Sequence, residues 1–143
     1  MSSLSLSALK LVSAIVLSAG LALAADASQD FPLLPKPGAK VPLAAGTYFT
    51  YGFTKPPKLG TCILKVEIWR ADGQRDTSFT IKGDVDMPSM RGAHSTGPKP
   101  FALSRKGDYL LPAPLVMPGD WEVRFTFEQK GQTVKVGSYR FEL

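Results

Sequence analysis

From Thr61 to Arg70 apolar and polar side chains alternate, with Cys62, Leu64, Val66 and Ile68 on one side and Lys65 and Glu67 on the other. A period of two predicts a β-strand with one face in a core. Ala71-Asp72-Gly73-Gln74 supplies turn residues, and Thr77 to Val85 resumes the alternation, with Phe79, Ile81, Gly83 and Val85 inward. On the same count Asp84 and Asp86 belong to the solvent side of that strand. Trp121 to Glu128 sets Trp121, Val123, Phe125 and Phe127 against Glu122, Arg124 and Thr126. A Gln129-Lys130-Gly131-Gln132 turn then leads into a last strand ending at Leu143. Weaker patterns predict strands over Thr47–Phe53, Lys99–Ser104 and Asp108–Leu111, and no amphipathic helix is found. About seven short strands punctuated by Gly, Pro and Asp predict an all-β, immunoglobulin-like β-sandwich.

The pattern is different upstream. One lysine, Lys10, precedes an apolar run from Leu11 to Leu23, and Ala22-Leu23-Ala24 has the small residues that a signal peptidase accepts. Residues 1–24 therefore read as a signal peptide, because the run is shorter than the roughly 20 apolar residues that span a bilayer. No cysteine follows that could carry a lipid. The expected product is soluble and exported, to the periplasm or the exterior, with no membrane span. Residues 25–46 carry Pro32, Pro35, Pro37 and Pro42 without a period and read as an extended arm, a linker or an edge-hugging tail. Residues 47–143 remain as one sandwich domain.

Charge and cysteine content narrow the function. The chain has 17 Lys and Arg against 12 Asp and Glu, a net +5, spread without a basic run, so nothing points to nucleic acid. A lone cysteine, Cys62, forms no internal disulfide, and stability rests on packing. It sits mid-pattern on the apolar face, where a thiolate is unfavourable. With His94 as the sole imidazole and no phosphate loop, HExxH or CxxC, the sequence offers no catalytic set. An enzyme is not expected.

One distribution stands out. Apart from Met1, the methionines are Met87, Met90 and Met117, and His94 falls among them in the Pro- and Gly-rich segment DVDMPSMRGAHSTGPKP. Thioethers and an imidazole suit Cu(I), a soft ion, whereas Mg and Ca call for carboxylates and structural Zn for thiolates. Loops at one end of a sandwich converge, which allows Met117 to join the others. The same residues have a second reading, as fillers of the core's end, with Met117 packed on Trp121.

These residues also carry a family resemblance. MPSM at Met87–Met90, RGAH at Arg91–His94, GDY at Gly107–Tyr109 and MPGDW at Met117–Trp121 resemble the YtkA-like domains, over roughly Thr47 to Leu143. The resemblance implies a small exported β-sandwich without enzymatic activity. Its relatives include the FixH proteins of oxidase assembly and domains beside heavy-metal efflux adaptors, so the implied partner is an envelope metal-handling, oxidase-assembly or efflux protein. It also implies a copper, Cu(I), site at Met87, Met90, Met117 and His94. Many relatives place a polar or metal-capable residue nearer the second methionine, where this chain has Arg91-Gly92-Ala93. The rival expectation is a structural or partner-binding sandwich without metal, which an exposed patch of Tyr48, Phe49, Tyr51 and Phe53 would favour.

Overall fold

The alternation of residues 61–70 is realised in full. In the computed structural model, which describes residues 30–143, β3 (Gly60–Arg70) lies between β2 (Thr47–Phe53) and β7 (Tyr109–Leu115). Outside these lie β1 (Val41–Pro42) and β6 (Ala102–Leu103), giving a sheet of order β1-β2-β3-β7-β6. The second sheet has the order β5 (Lys99–Pro100), β4 (Thr80–Asp86), β8 (Asp120–Gln129), β9 (Gln132–Glu142). All ladders between these strands are antiparallel. Two such sheets with this strand order form the immunoglobulin-like sandwich: β2-β3-β7-β6 stand as the strands A, B, E and D of that fold, and β4-β8-β9 as C, F and G. No helix among the described residues is long and apolar enough to cross a membrane.

The inward faces meet as the alternation requires. Leu64, Val66 and Ile68 of β3 and Trp121, Val123, Phe125 and Phe127 of β8 are fully buried. Phe49 of β2 reaches across to Phe127 with ring centroids 4.4 Å apart. Gly83 of β4 leaves room for a neighbour, since a Cβ there would lie 2.6 Å from Leu111 Cδ2 and 2.9 Å from Phe101 Cε2.

Three elements differ from expectation, each for a local reason. Lys99–Ser104 is two strands, β5 in one sheet and β6 in the other. The buried Phe101 between them, its N–H given to the Ile81 carbonyl at 2.8 Å, marks where the chain changes sheets. β4 starts at Thr80 because the Asp76 carboxylate accepts the Ser78 N–H (2.9 Å) and hydroxyl (2.6 Å), a local turn that competes with the strand. β7 runs on to Leu115 through Pro112 and Pro114. β6 pairs only with Tyr109 and Leu110, so the prolines lie where the strand has become an edge, and no partner needs their missing N–H.

The arm is edge-hugging and joins the fold. Leu33 bridges Ser138 of β9 in parallel, with the Leu34 N–H on the Ser138 carbonyl (2.8 Å) and the Ser138 N–H on that of Pro32 (2.9 Å). Leu34 packs into the notch above Gly137, where a Cβ would come within 2.7 Å of its Cγ. The chain then turns. The Tyr51 hydroxyl donates to the Pro35 carbonyl, and burial, reinforced by Tyr139, pushes that phenol up to about 12. Val41 and Leu43 enter the core as β1 pairs with β2, so the folded unit begins upstream of Thr47. The signal-peptide segment, residues 1–24, lies outside the described residues.

Candidate metal centre

One pole of the sandwich gathers the expected residues. β3 begins at Gly60 opposite Leu115, the end of β7, and the turn 116–119 leads straight into β8. β4 ends at the same pole, since Asp86 lies opposite Glu122. Residues 54–59, 87–98 and 116–119 and the terminal Leu143 therefore share it. Leu143 is tied to the turn by reciprocal backbone hydrogen bonds with Gly119, at 2.9 and 3.0 Å.

Trp121 is the hub. Its indole N–H donates to the Met117 carbonyl at 3.0 Å, and the His94 ring lies against it at 6.4 Å between centroids. Met87 packs beneath the turn that precedes Trp121, its methyl 2.9 Å from where a Cβ on Gly119 would stand. A glycine is needed there twice over, for that approach and for a φ of +134°. Pro88–Met90 forms a 3₁₀ turn, with the Met90 N–H on the Met87 carbonyl (3.0 Å). The four residues differ in access: Met90 is exposed, His94 and Met117 are half-buried, and Met87 is only 2% exposed. Met87 thus closes the end of the core, as the filler reading expects of it, and an exposed thioether at that position is not found.

Three carboxylates, Asp86, Glu122 and Asp120, fix the loop that carries Met90 and His94. Asp86 Oδ1 accepts the Met87 N–H at 2.8 Å and Oδ2 accepts that of Gly92 at 3.2 Å, so one side chain closes the loop from both ends. Asp86 is buried, not on the solvent side as its place in the alternation predicts, because this loop folds over it. Directly across the ladder stands Glu122, 1% exposed, and beyond it Arg140. Two opposed carboxylates repel, and Arg91 resolves this by reaching both, at 2.8 Å to Glu122 and 3.7 Å to Asp86. Arg124 and Arg140 each bind Glu122 at 2.6 Å. Burial alone would raise the Glu122 carboxyl, but the hydrogen bonds from Arg140, Arg91 and Arg124 outweigh it and hold it below the ordinary range. On the far side, Ser89 gives its N–H (2.9 Å) and its hydroxyl to Asp120. These two bonds hold that carboxylate below its ordinary value as well.

The donor set fits a soft ion. The Arg91 charge is directed into Glu122 and Asp86 rather than at the methionines. Among the described residues no three His, Cys, Asp or Glu side chains converge as a metal-binding group. Cys62 also stands at this pole. It is half-buried and hydrogen-bonded to the backbone of Lys58, accepting its N–H at 3.4 Å and donating to its carbonyl at 3.1 Å. The aromatic patch expected of a partner-binding sandwich does not form, since Phe49 and Tyr51 are core residues.

No protein-family model matches the chain, and no curated protein matches it in sequence. Among solved structures, the chain is similar to FetP of uropathogenic E. coli strain F11, in the crystal structure of the "as isolated" protein recombinantly expressed in the periplasm of E. coli BL21(DE3). The identity is 12% and the TM-score 0.49, over 75% of this chain and 93% of that one.

Proposed function

We propose that this chain is an exported YtkA-like domain that binds Cu(I) at the Trp121 pole and holds the ion or hands it on to another envelope protein. The observation that supports this is that two loops, residues 87–98 with Met87, Met90 and His94 and residues 116–119 with Met117, come together at the Trp121 pole. Met90, His94 and Met117 are the donors a partner can reach, and Met87 supplies a sulfur from the core side. Thioethers suit an oxidising compartment because, unlike thiols, they are not lost to disulfides. The role is binding and transfer, not catalysis.

Anaerobic Cu(I) titration against a chromophoric chelator tests this. The expected result is one equivalent bound by the wild type, with the affinity lowered more than about tenfold in a Met90→Ala/His94→Ala variant, since each lost donor weakens a soft-ligand site. A competition curve unchanged by that pair of substitutions would overturn the assignment.

A further inference from the structure

The pole that gathers the methionines is also where apolar side chains stand free. Of the six large hydrophobic side chains exposed among the described residues, three lie here: Leu59 (55%), Val116 (61%) and Met90 (41%). Leu59 precedes Gly60 and Val116 follows Leu115, and Gly60 and Leu115 are partners in the β3–β7 ladder. Leu59 and Val116 therefore leave the sheet side by side. The turns at the opposite pole present Asp72, Gly73 and Gln74, Arg105 and Lys106, and Lys130, and the exposed Leu103 and Val134 near that pole stand apart, in strands of different sheets. The contrast between the two poles argues that the apolar rim has a purpose.

The charged residues of the connection that carries Leu59, residues 54–59, are both lysines. Lys55 and Lys58 are exposed, and among the described residues neither takes part in an ion pair. They border a groove of about 240 Å3 that has Ile63 and Cys62 in its lining. The connection presenting them is held in shape by the Thr54 N–H on the Ile63 carbonyl (2.9 Å) and by the Lys58–Cys62 hydrogen bonds. A concave, preformed surface suits a peptide segment better than a flat lipid face.

We infer that the Leu59–Val116 rim and its two lysines form the docking surface for the protein that exchanges the ion, and that this partner presents an acidic segment with an apolar anchor. The inference rests on the copper assignment above. Ligand exchange brings the partner's donors to the ion, so the surface around the ion must be the surface the partner covers. Unpaired lysines there call for carboxylates opposite, which speed encounter and set orientation. The groove takes the anchor.

The test uses two blocked peptides that share their methionines and one leucine, one carrying aspartates and the other lysines, each loaded with Cu(I). Stopped-flow transfer to the metal-free protein at low ionic strength should run about tenfold faster from the acidic peptide, as electrostatic steering allows. Lys55→Glu/Lys58→Glu should abolish that preference. Leu59→Ser/Val116→Ser should slow transfer from both peptides, while chelator titration gives both variants the wild-type affinity. Equal rates from the two peptides, or an acidic preference that survives charge reversal, would overturn the inference. Retention on phosphatidylglycerol vesicles, lost in the same variants and without any peptide preference, would overturn it in favour of a lipid surface. If the wild type binds no Cu(I), the copper assignment fails by itself. Amide shifts of residues 54–59 and 116 on adding the metal-free acidic peptide then still decide the docking surface.

Discussion

At the scale of single residues, Met87 separates the two roles a methionine can have. Its side chain is buried beneath Gly119, so truncation opens a cavity. Met87→Ala should lower stability by about 2–4 kcal/mol, whereas Met87→Leu, which keeps the volume and removes the sulfur, should cost less than about 1.5 kcal/mol. Urea denaturation of the two variants checks the difference. Met87→Leu is therefore the variant that can ask about copper without unfolding the pole. Residue types marked this pole in the sequence, because methionine and histidine are scarce and clustered. Their exposures were not legible. Nothing in the segment says that Met87 turns inward while Met90 turns out, since that depends on a 3₁₀ turn and on a glycine in a different loop. Asp86 misleads for a related reason: alternation assigns it correctly to the outer face, but another segment covers that face.

At the scale of elements, the arm and its notch work as one unit. A side chain at Gly137 would occupy the space of Leu34. Gly137→Ala should therefore displace Leu34 and loosen the hydrogen bonds of residues 32–34 with Ser138, lowering stability by about 1–3 kcal/mol. Hydrogen exchange at the Leu34 and Ser138 amides, faster in the variant while β8 amides stay protected, is the measurement. The longer strands were legible because one of their faces is buried and the other is not. β5, β6 and the full length of β7 were not, because a switch between sheets at Phe101 and prolines on an edge are decided by the neighbouring strands. The arm's prolines hid the short β1, Val41–Pro42, which forms because β2 offers it an edge, and the docking of the arm's first part depends on a glycine far along the chain.

At the scale of the whole molecule, the row Asp86, Glu122, Arg140 crosses three strands and, through Arg91, joins the second sheet to the loop. The folded Glu122 carboxyl is held below its ordinary value. Its contribution is therefore fully present above the unfolded value of about 4.3 and is lost as pH falls through the lowered one. At neutral pH, Glu122→Gln should lower stability by about 2 kcal/mol, since three guanidinium groups lose their charged acceptor. The gap between wild type and variant, read from urea midpoints, should shrink as pH is lowered from 6 towards 3. A gap independent of pH would show that the network does not couple to folding through this proton. The network was illegible in the sequence because its members meet only through strand register.

The lateral borders of the sandwich have a consequence for how the protein can be recognised. β1, β5 and β6 are two residues long, β7 ends its run in prolines, and residues 32–34 lie along the middle of β9. A sheet bordered in this way offers few free main-chain donors and acceptors in a row, so it is a poor template for an added strand, whether from another protein or from a second copy. Strand addition is the commonest way for a β-domain to be read without regard to its side chains. With that way largely closed, what contacts this protein must distinguish it by the side chains it displays.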